Sequence, residues 1–266
     1  MRRFFAHFVF AKSININKSK HMSSVFRLRP SNEFTIDEFI NEYLWFSRPT
    51  EYNDTEDANI IAFSDVNENV KKTFNRVFSN YTEFGEQISL SGICCFTRSL
   101  PQLSNWKYFP KGANGVFFEY NKEKIEQYFI KHYAYGDCFK EVEYLTNQMR
   151  ILSSTDEGYD VLWQSDKNGS LYKSLRGDIE HDAKTMDKFI FKLLTRINIK
   201  YQRQNELRII LGGRNIPDKS PDLKGYKVRI PLDSIVNIYI QPNTPKIFLN
   251  KLKEVIPKTI SIEIIT

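Results

Sequence analysis

The sequence predicts an α+β fold, on three observations. Strand-like and helix-like segments follow one another without the regular β–α alternation of a doubly wound sheet. Aromatic residues make up 14% of the 266, with 21 Phe and 14 Tyr, a load that favours sheet-rich architecture. Hydrophobic residues reach 41%, enough for a substantial core, and no linker of distinct composition divides the chain. A single α+β domain is expected over residues 23–266, behind a flexible N-terminal extension at 1–22. Met1 to Phe10 makes a poor signal peptide: His7 interrupts its apolar run and Ser13 to Lys20 is polar and basic.

Each element has its own signal. Phe26 and Leu28 alternate with Arg27 and Arg29, which predicts a half-buried strand with the arginines on the open face. Thr35 to Glu38 has capping-box form, and Ile36, Phe39, Ile40 and Tyr43 follow at helical spacing, so a short helix is expected to about Leu44. A strand at Leu44–Ser47 stops at Pro49, and Tyr52-Asn53-Asp54 reads as a turn. Val66, Val70, Phe74, Val77, Phe78 and Tyr81 mark an amphipathic helix. Ile93–Thr97 and Gly115–Tyr120 read as buried strands, followed by a helix near 122–132 and a strand near 139–145. A long polar loop is expected from Ser153 to Ser170, then a helix over 181–199 with Met186, Phe189, Ile190, Leu193, Leu194 and Ile197 on one stripe. Lys200 to Leu211 reads as a strand that places Gln204, Glu206 and Arg208 on one face and Leu207, Ile209 and Leu211 in the core. An edge strand with a solvated polar face is the plainer reading of that spacing. After a Gly- and Pro-rich loop at 212–225 come strands at 226–230 and 235–240, a helix at 245–254 and a strand at 259–265.

Composition narrows the function classes. A net charge of +6 is compatible with a polyanionic ligand, but 32 acidic residues interrupt the basic ones, so a mildly basic surface explains it equally well. The three cysteines, Cys94, Cys95 and Cys138, have no zinc-ligand spacing; they fit a reducing cytoplasm, with Cys94 and Cys95 read as small core residues. No run approaches the ~20 apolar residues of a membrane span. Phosphate-loop, dinucleotide-fold, serine-elbow and zinc-protease motifs do not occur, and His7, His21, His132 and His181 lie far apart.

Three constellations have chemical possibilities. Ser47, Asn53 and Asp54 surround a turn, where Asn and Asp also serve simply to stabilise the backbone. Trp106 begins an aromatic cluster suited either to stacking a base or to covering the core. Asp54, Glu56 and Asp57 offer oxygen ligands for Mg²⁺, although an acidic turn is the commoner role. No metal is expected.

In order and spacing, Phe26 with Arg29, Phe46-Ser47-x-Pro49, Tyr52-Asn53-Asp54, Cys95-Phe96-Thr97, Trp106 with Gly115, and Glu206-x-Arg208 resemble an uncharacterised bacterial domain family of phage-defence and toxin loci. The resemblance covers residues 26–240, with Thr55, Phe109 and Gln204 departing from that family's usual Pro, Tyr and Glu. The family's layout is similar in turn to the ADP-ribosyltransferase fold, mostly antiparallel mixed sheets with flanking helices. The resemblance implies a cytoplasmic enzyme that transfers ADP-ribose from NAD⁺ to a nucleic acid or protein, with a possible antitoxin as partner. It implies catalytic roles for Glu206, which would steady the sugar cation, and Gln204, which would align the acceptor. NAD⁺ binding would fall to Arg29 or Arg27 at the pyrophosphate, Thr97 or Ser47 at the nicotinamide ribose or amide, and to Asn53 and Trp106. Two other functions stand beside it: a non-catalytic nucleotide or nucleic-acid binding module, and a metal-dependent nuclease using Asp54, Glu56 and Glu206.

Overall fold

The computed structural model describes residues 23–51, 61–63, 90–109, 114–133, 137–146, 150–152, 191–192, 194–212, 216 and 224–265. The predicted extension at 1–22, the helix at 66–81, the loop at 153–170 and the turn containing Asn53 lie outside them.

The chain has both helices and a mostly antiparallel mixed sheet. Strand β1 (Ser24–Pro30) leads to helix α1 (Glu33–Ile40) and then β2 (Tyr43–Ser47). Next come β3 (Ile61–Phe63), β4 (Gly92–Thr97), β5 (Gly115–Asn121) and helix α2 (Lys122–Tyr133). The short strands β6 (Phe139–Glu141), β7 (Glu143–Leu145), β8 (Arg150–Leu152) and β9 (Arg196–Asn198) precede β10 (Glu206–Leu211). The last part is β11 (Gly225–Arg229), β12 (Ile235–Ile240), helix α3 (Lys246–Val255) and β13 (Ser261–Ile264).

The main sheet runs β11-β2-β4-β1-β5-β12-β13, with β10 on β4 and β6 beyond it. Among the described residues only β12 and β13 pair in parallel within it, joined by α3. The pairs β3–β8 and β7–β9 stand apart from it and are parallel.

Helices cover one face of this sheet. Val25, Cys94, Phe96, Phe118, Leu207 and Ile209 meet Ile36 and Phe39 of α1, Ile125 and Phe129 of α2, and Phe248 and Leu252 of α3 in one apolar cluster. α1 starts three residues earlier than its sequence signal, because Asn32 is the cap and accepts from the Thr35 N–H at 3.3 Å. α2 is capped in the same way by Asn121, whose side chain accepts from Lys124 N–H at 3.1 Å.

Strand β4 has three partners. β10 pairs along its whole length, so β1 and β2 must share the other edge: β1 meets it at Phe26↔Thr97 and β2 at Ser47↔Ile93. The two strands diverge from that edge and leave a wedge. Arg27 and Glu38 fill it, Arg27 donating to the Trp45 carbonyl at 3.0 Å and Glu38 accepting from the Trp45 N–H at 3.1 Å. Backbone groups that lost their ladder partners are thereby satisfied.

Candidate functional site

Cross-strand partners in an antiparallel pair share a face of the sheet. The register Phe26↔Thr97↔Glu206 therefore puts Phe26, Thr97 and Glu206 on the face opposite the three helices. Two of the proposed site residues are thus brought together: Thr97 on β4 stands directly across from Glu206 on β10. Both are buried, and the Thr97 hydroxyl donates to Ser99 O at 3.3 Å.

Arg208 holds the Glu206 carboxylate from two positions along the same face. Its Nε lies 2.8 Å from Oε1 and its Nη2 3.4 Å from Oε2, while Nη1 donates to Leu194 O at 2.6 Å. The pair is nearly dry, with side-chain exposures of 6% and 1%. The shorter contact fixes Oε1, and Oε2 keeps acceptor capacity beyond its long contact. The Glu206 N–H donates to the Tyr144 hydroxyl at 2.7 Å, which ties β10 to the β7–β9 pair. Burial raises the Tyr144 phenol above its ordinary value, and the Glu206 charge adds to the shift while the hydrogen bond from Glu206 N–H opposes it.

Several expectations are corrected. Gln204 is not in the strand: it ends a 3-10 helix (Ile199–Gln204), and Asn205 then turns the chain in the left-handed region at φ 45. Asn tolerates that conformation better than most residues. Gln204 consequently does not share a strand face with Glu206 and Arg208; its amide donates to Tyr108 O at 3.1 Å. Of the predicted helix over 181–199, residues 181–190 and 193 lie outside the described residues, and 196–198 form β9 instead. Nor is β10 an edge strand with a solvated face. It lies between β4 and β6, and all six of its residues are buried.

Arg27 and Arg29 lie on the helix-covered side, not the open side. Alternation along β1 groups them with Val25, while Phe26 and Leu28 take the face of Thr97 and Glu206. Glu38 of α1 receives both: Arg27 Nη1 donates to Oε2 at 2.9 Å, and Arg29 Nε sits 2.8 Å from the same oxygen. The Arg29 N–H direction does not complete a hydrogen bond, so that second contact is ionic only. Burial, with repulsion from Arg27, lowers the Arg29 pKa.

Ser47 shares the Thr97 face but pairs with Ile93, four residues away along β4, or about 13 Å at the usual rise. Trp106 is buried at 1% exposure, packs edge-on against Phe117 at 4.6 Å and donates from Nε1 to Pro101 O at 2.9 Å. It covers the sheet and has no open ring face for a ligand. Among the described residues, no group of three or more His, Cys, Asp or Glu is placed to hold a metal. No described helix is long and apolar enough to cross a membrane.

Sequence reasoning missed Glu38 and Tyr144. Glu38 appeared only as a capping residue, and the isolated Tyr144 carries no signal before β7 is seen against β10. Compared with known proteins, the chain matches no family model, no curated protein and no solved structure.

Proposed function

We propose that this protein is an ADP-ribosyltransferase of the phage-defence and toxin type, with an ADP-ribosyltransferase-like fold, that moves ADP-ribose from NAD⁺ to a nucleic acid or protein acceptor. The observation that carries the reading is the direct pairing of Thr97 with Glu206, on strands whose next neighbour is the arginine-bearing β1. The strands that carry the arginine, the hydroxyl and the glutamate named by the family resemblance are thus neighbours, although the arginines of β1 face the helices.

In the reaction, the bond from ribose C1′ to the nicotinamide nitrogen breaks and nicotinamide leaves with the electron pair. The sugar becomes oxocarbenium-like; an acceptor N or O attacks C1′ and releases its proton. Glu206 accepts a ribose hydroxyl at Oε2 and balances the developing positive charge, while Arg208 fixes the plane of the carboxylate. Thr97, whose single proton goes to Ser99 O, accepts from a hydroxyl of the same ribose. Gln204, held by the Tyr108 carbonyl, lies at the entrance to β10 where an acceptor approaches. Arg27 and Arg29 serve the wedge behind the sheet, so the pyrophosphate falls to another basic group, of which the exposed Arg98, directly after Thr97 and paired with Glu141, is nearest along the chain.

The buried Glu206–Arg208 pair favours a second reading, a binding module that does no chemistry, because an ion pair of this kind also serves structure alone. Incubation with NAD⁺ labelled in its adenylate, in cell extract, separates the two. Transfer of label to a nuclease- or protease-sensitive product, with release of nicotinamide, supports the enzyme. Saturable NAD⁺ binding without nicotinamide release supports the module.

A further inference from the structure

Two stretches of the sequence lack acidic residues: 98–118, with Arg98, Lys107 and Lys111, and 188–205, with Lys188, Lys192, Arg196, Lys200 and Arg203. They are far apart in the chain, yet the fold packs the 3-10 helix Leu103–Tyr108 of the first against Ile199–Gln204 of the second. Arg98, Lys107, Tyr108, Lys200 and Arg203 are all exposed there. The Arg203 guanidinium lies 4.8 Å from the Tyr108 ring centre, and Lys107 Nζ lies 5.3 Å from it. Lys200 Nζ lies 4.8 Å from the Tyr201 ring centre. Among the described residues two exposed acids border this surface, Glu141 paired with Arg98 at 2.8 Å and Glu143 paired with Arg196 at 2.8 Å.

We propose that this surface binds single-stranded nucleic acid. Cations spaced along two adjacent turns suit a phosphate backbone, and a planar guanidinium layered on an exposed tyrosine offers bases a stacking platform that no particular sequence is needed to fill. Its position adds a role. Arg98 N–H donates to Asn205 O at 3.1 Å and Gln204 bonds to Tyr108 O, so the surface abuts the ends of β4 and β10 that carry Thr97 and Glu206. Resting on the transferase reading, this role makes the bound strand the acceptor; the binding itself does not depend on that reading.

The test is fluorescence anisotropy with a labelled 20-nucleotide oligo(dT), without NAD⁺, across 50–200 mM NaCl. Wild-type protein should bind with log Kd rising against log salt at a slope of about 3, as about four phosphate contacts to a single strand require. Lys200→Glu with Arg203→Glu should weaken binding at least tenfold and lower the slope by about 1.4. Lys251→Glu with Lys253→Glu on α3 makes the same change in net charge on the helix-covered face and should leave the affinity within about twofold. Thermal melts confirm that both double variants are folded. No binding by wild type at 50 mM, equal losses in the two double variants, or equal affinity for a duplex of the same length would each overturn the proposal. Failure here leaves label transfer to a protein open, and retained binding in a protein that releases no nicotinamide isolates failure of the transferase reading.

Discussion

Glu38→Gln tests whether Arg27 and Arg29 are tied into the fold or free for a ligand. One carboxylate, 6% exposed, balances two guanidiniums, one 6% and the other 18% exposed, and also accepts the Trp45 N–H. Glutamine keeps the size and an acceptor oxygen for Trp45 but removes the charge. Two adjacent cations are then left with their mutual repulsion, and removing one partner of a buried pair costs about 3–5 kcal/mol. For a chain of this size that is a drop in Tm of roughly 6–20 °C. Urea unfolding and calorimetry on the purified protein measure it. The control is Glu33→Gln, whose carboxylate is 73% exposed in its pair with Lys251; it should change stability by no more than about 1 kcal/mol. A loss under about 1 kcal/mol in Glu38→Gln would refute the account of the wedge and return Arg29 to the pool of NAD⁺ ligands.

Two further outcomes follow from packing and burial. Gly225→Ala should lower stability by at least ~2 kcal/mol in the same unfolding assay, because a Cβ there would run into the Phe46 carbonyl oxygen and the Trp45 indole. Burial pushes the Cys94 thiol up to about 11 and the Cys138 thiol up to about 12, from ordinary values near 9. Native protein should therefore resist alkylation at both positions at pH 8, as read by peptide mass mapping. Raised folded-state values also mean that this stability is fully present below about pH 9 and is lost as pH climbs toward 11–12. The urea midpoint should fall over that window, and less steeply in Cys94→Ala.

Strands built from β-branched and aromatic runs are legible in the sequence itself. β4, β5 and β12 fall within a residue or two of their predicted bounds, since an apolar run of that length with flanking turn residues has few other uses. What one strand's alternation cannot say is which of its two faces is covered. Both sides of β1 carry side chains from other elements, so the rule that charge points outward failed for Arg27, whose partner arrives eleven residues later on α1. Similarly, Leu193, Leu194 and Ile197 keep helical spacing through a point where pairing with β7 draws residues 196–198 into a strand. The apposition of Thr97 and Glu206 is a register, set by long-range pairing of β4 with β10, and only the family resemblance linked these residues beforehand. The ion pair with Arg208 was half visible, because residues two apart on a strand share a face.

The central claim is that the Glu206 carboxylate, opposite Thr97, steadies the sugar cation as nicotinamide departs. Glu206→Gln also strips Arg208 of its buried counter-charge, so a loss of stability is expected along with any loss of activity. Its turnover must be measured well below its own Tm. Thr97→Val, which removes one hydroxyl and keeps the side-chain shape, provides a companion with less damage to the fold. The measurement is nicotinamide release from NAD⁺ by folded wild type, Glu206→Gln and Thr97→Val, in the presence of acceptor. The account predicts turnover by wild type, a fall of about 10²–10³-fold in Glu206→Gln, or some 3–4 kcal/mol, and a smaller fall in Thr97→Val. Wild-type turnover that persists unchanged in folded Glu206→Gln would contradict it.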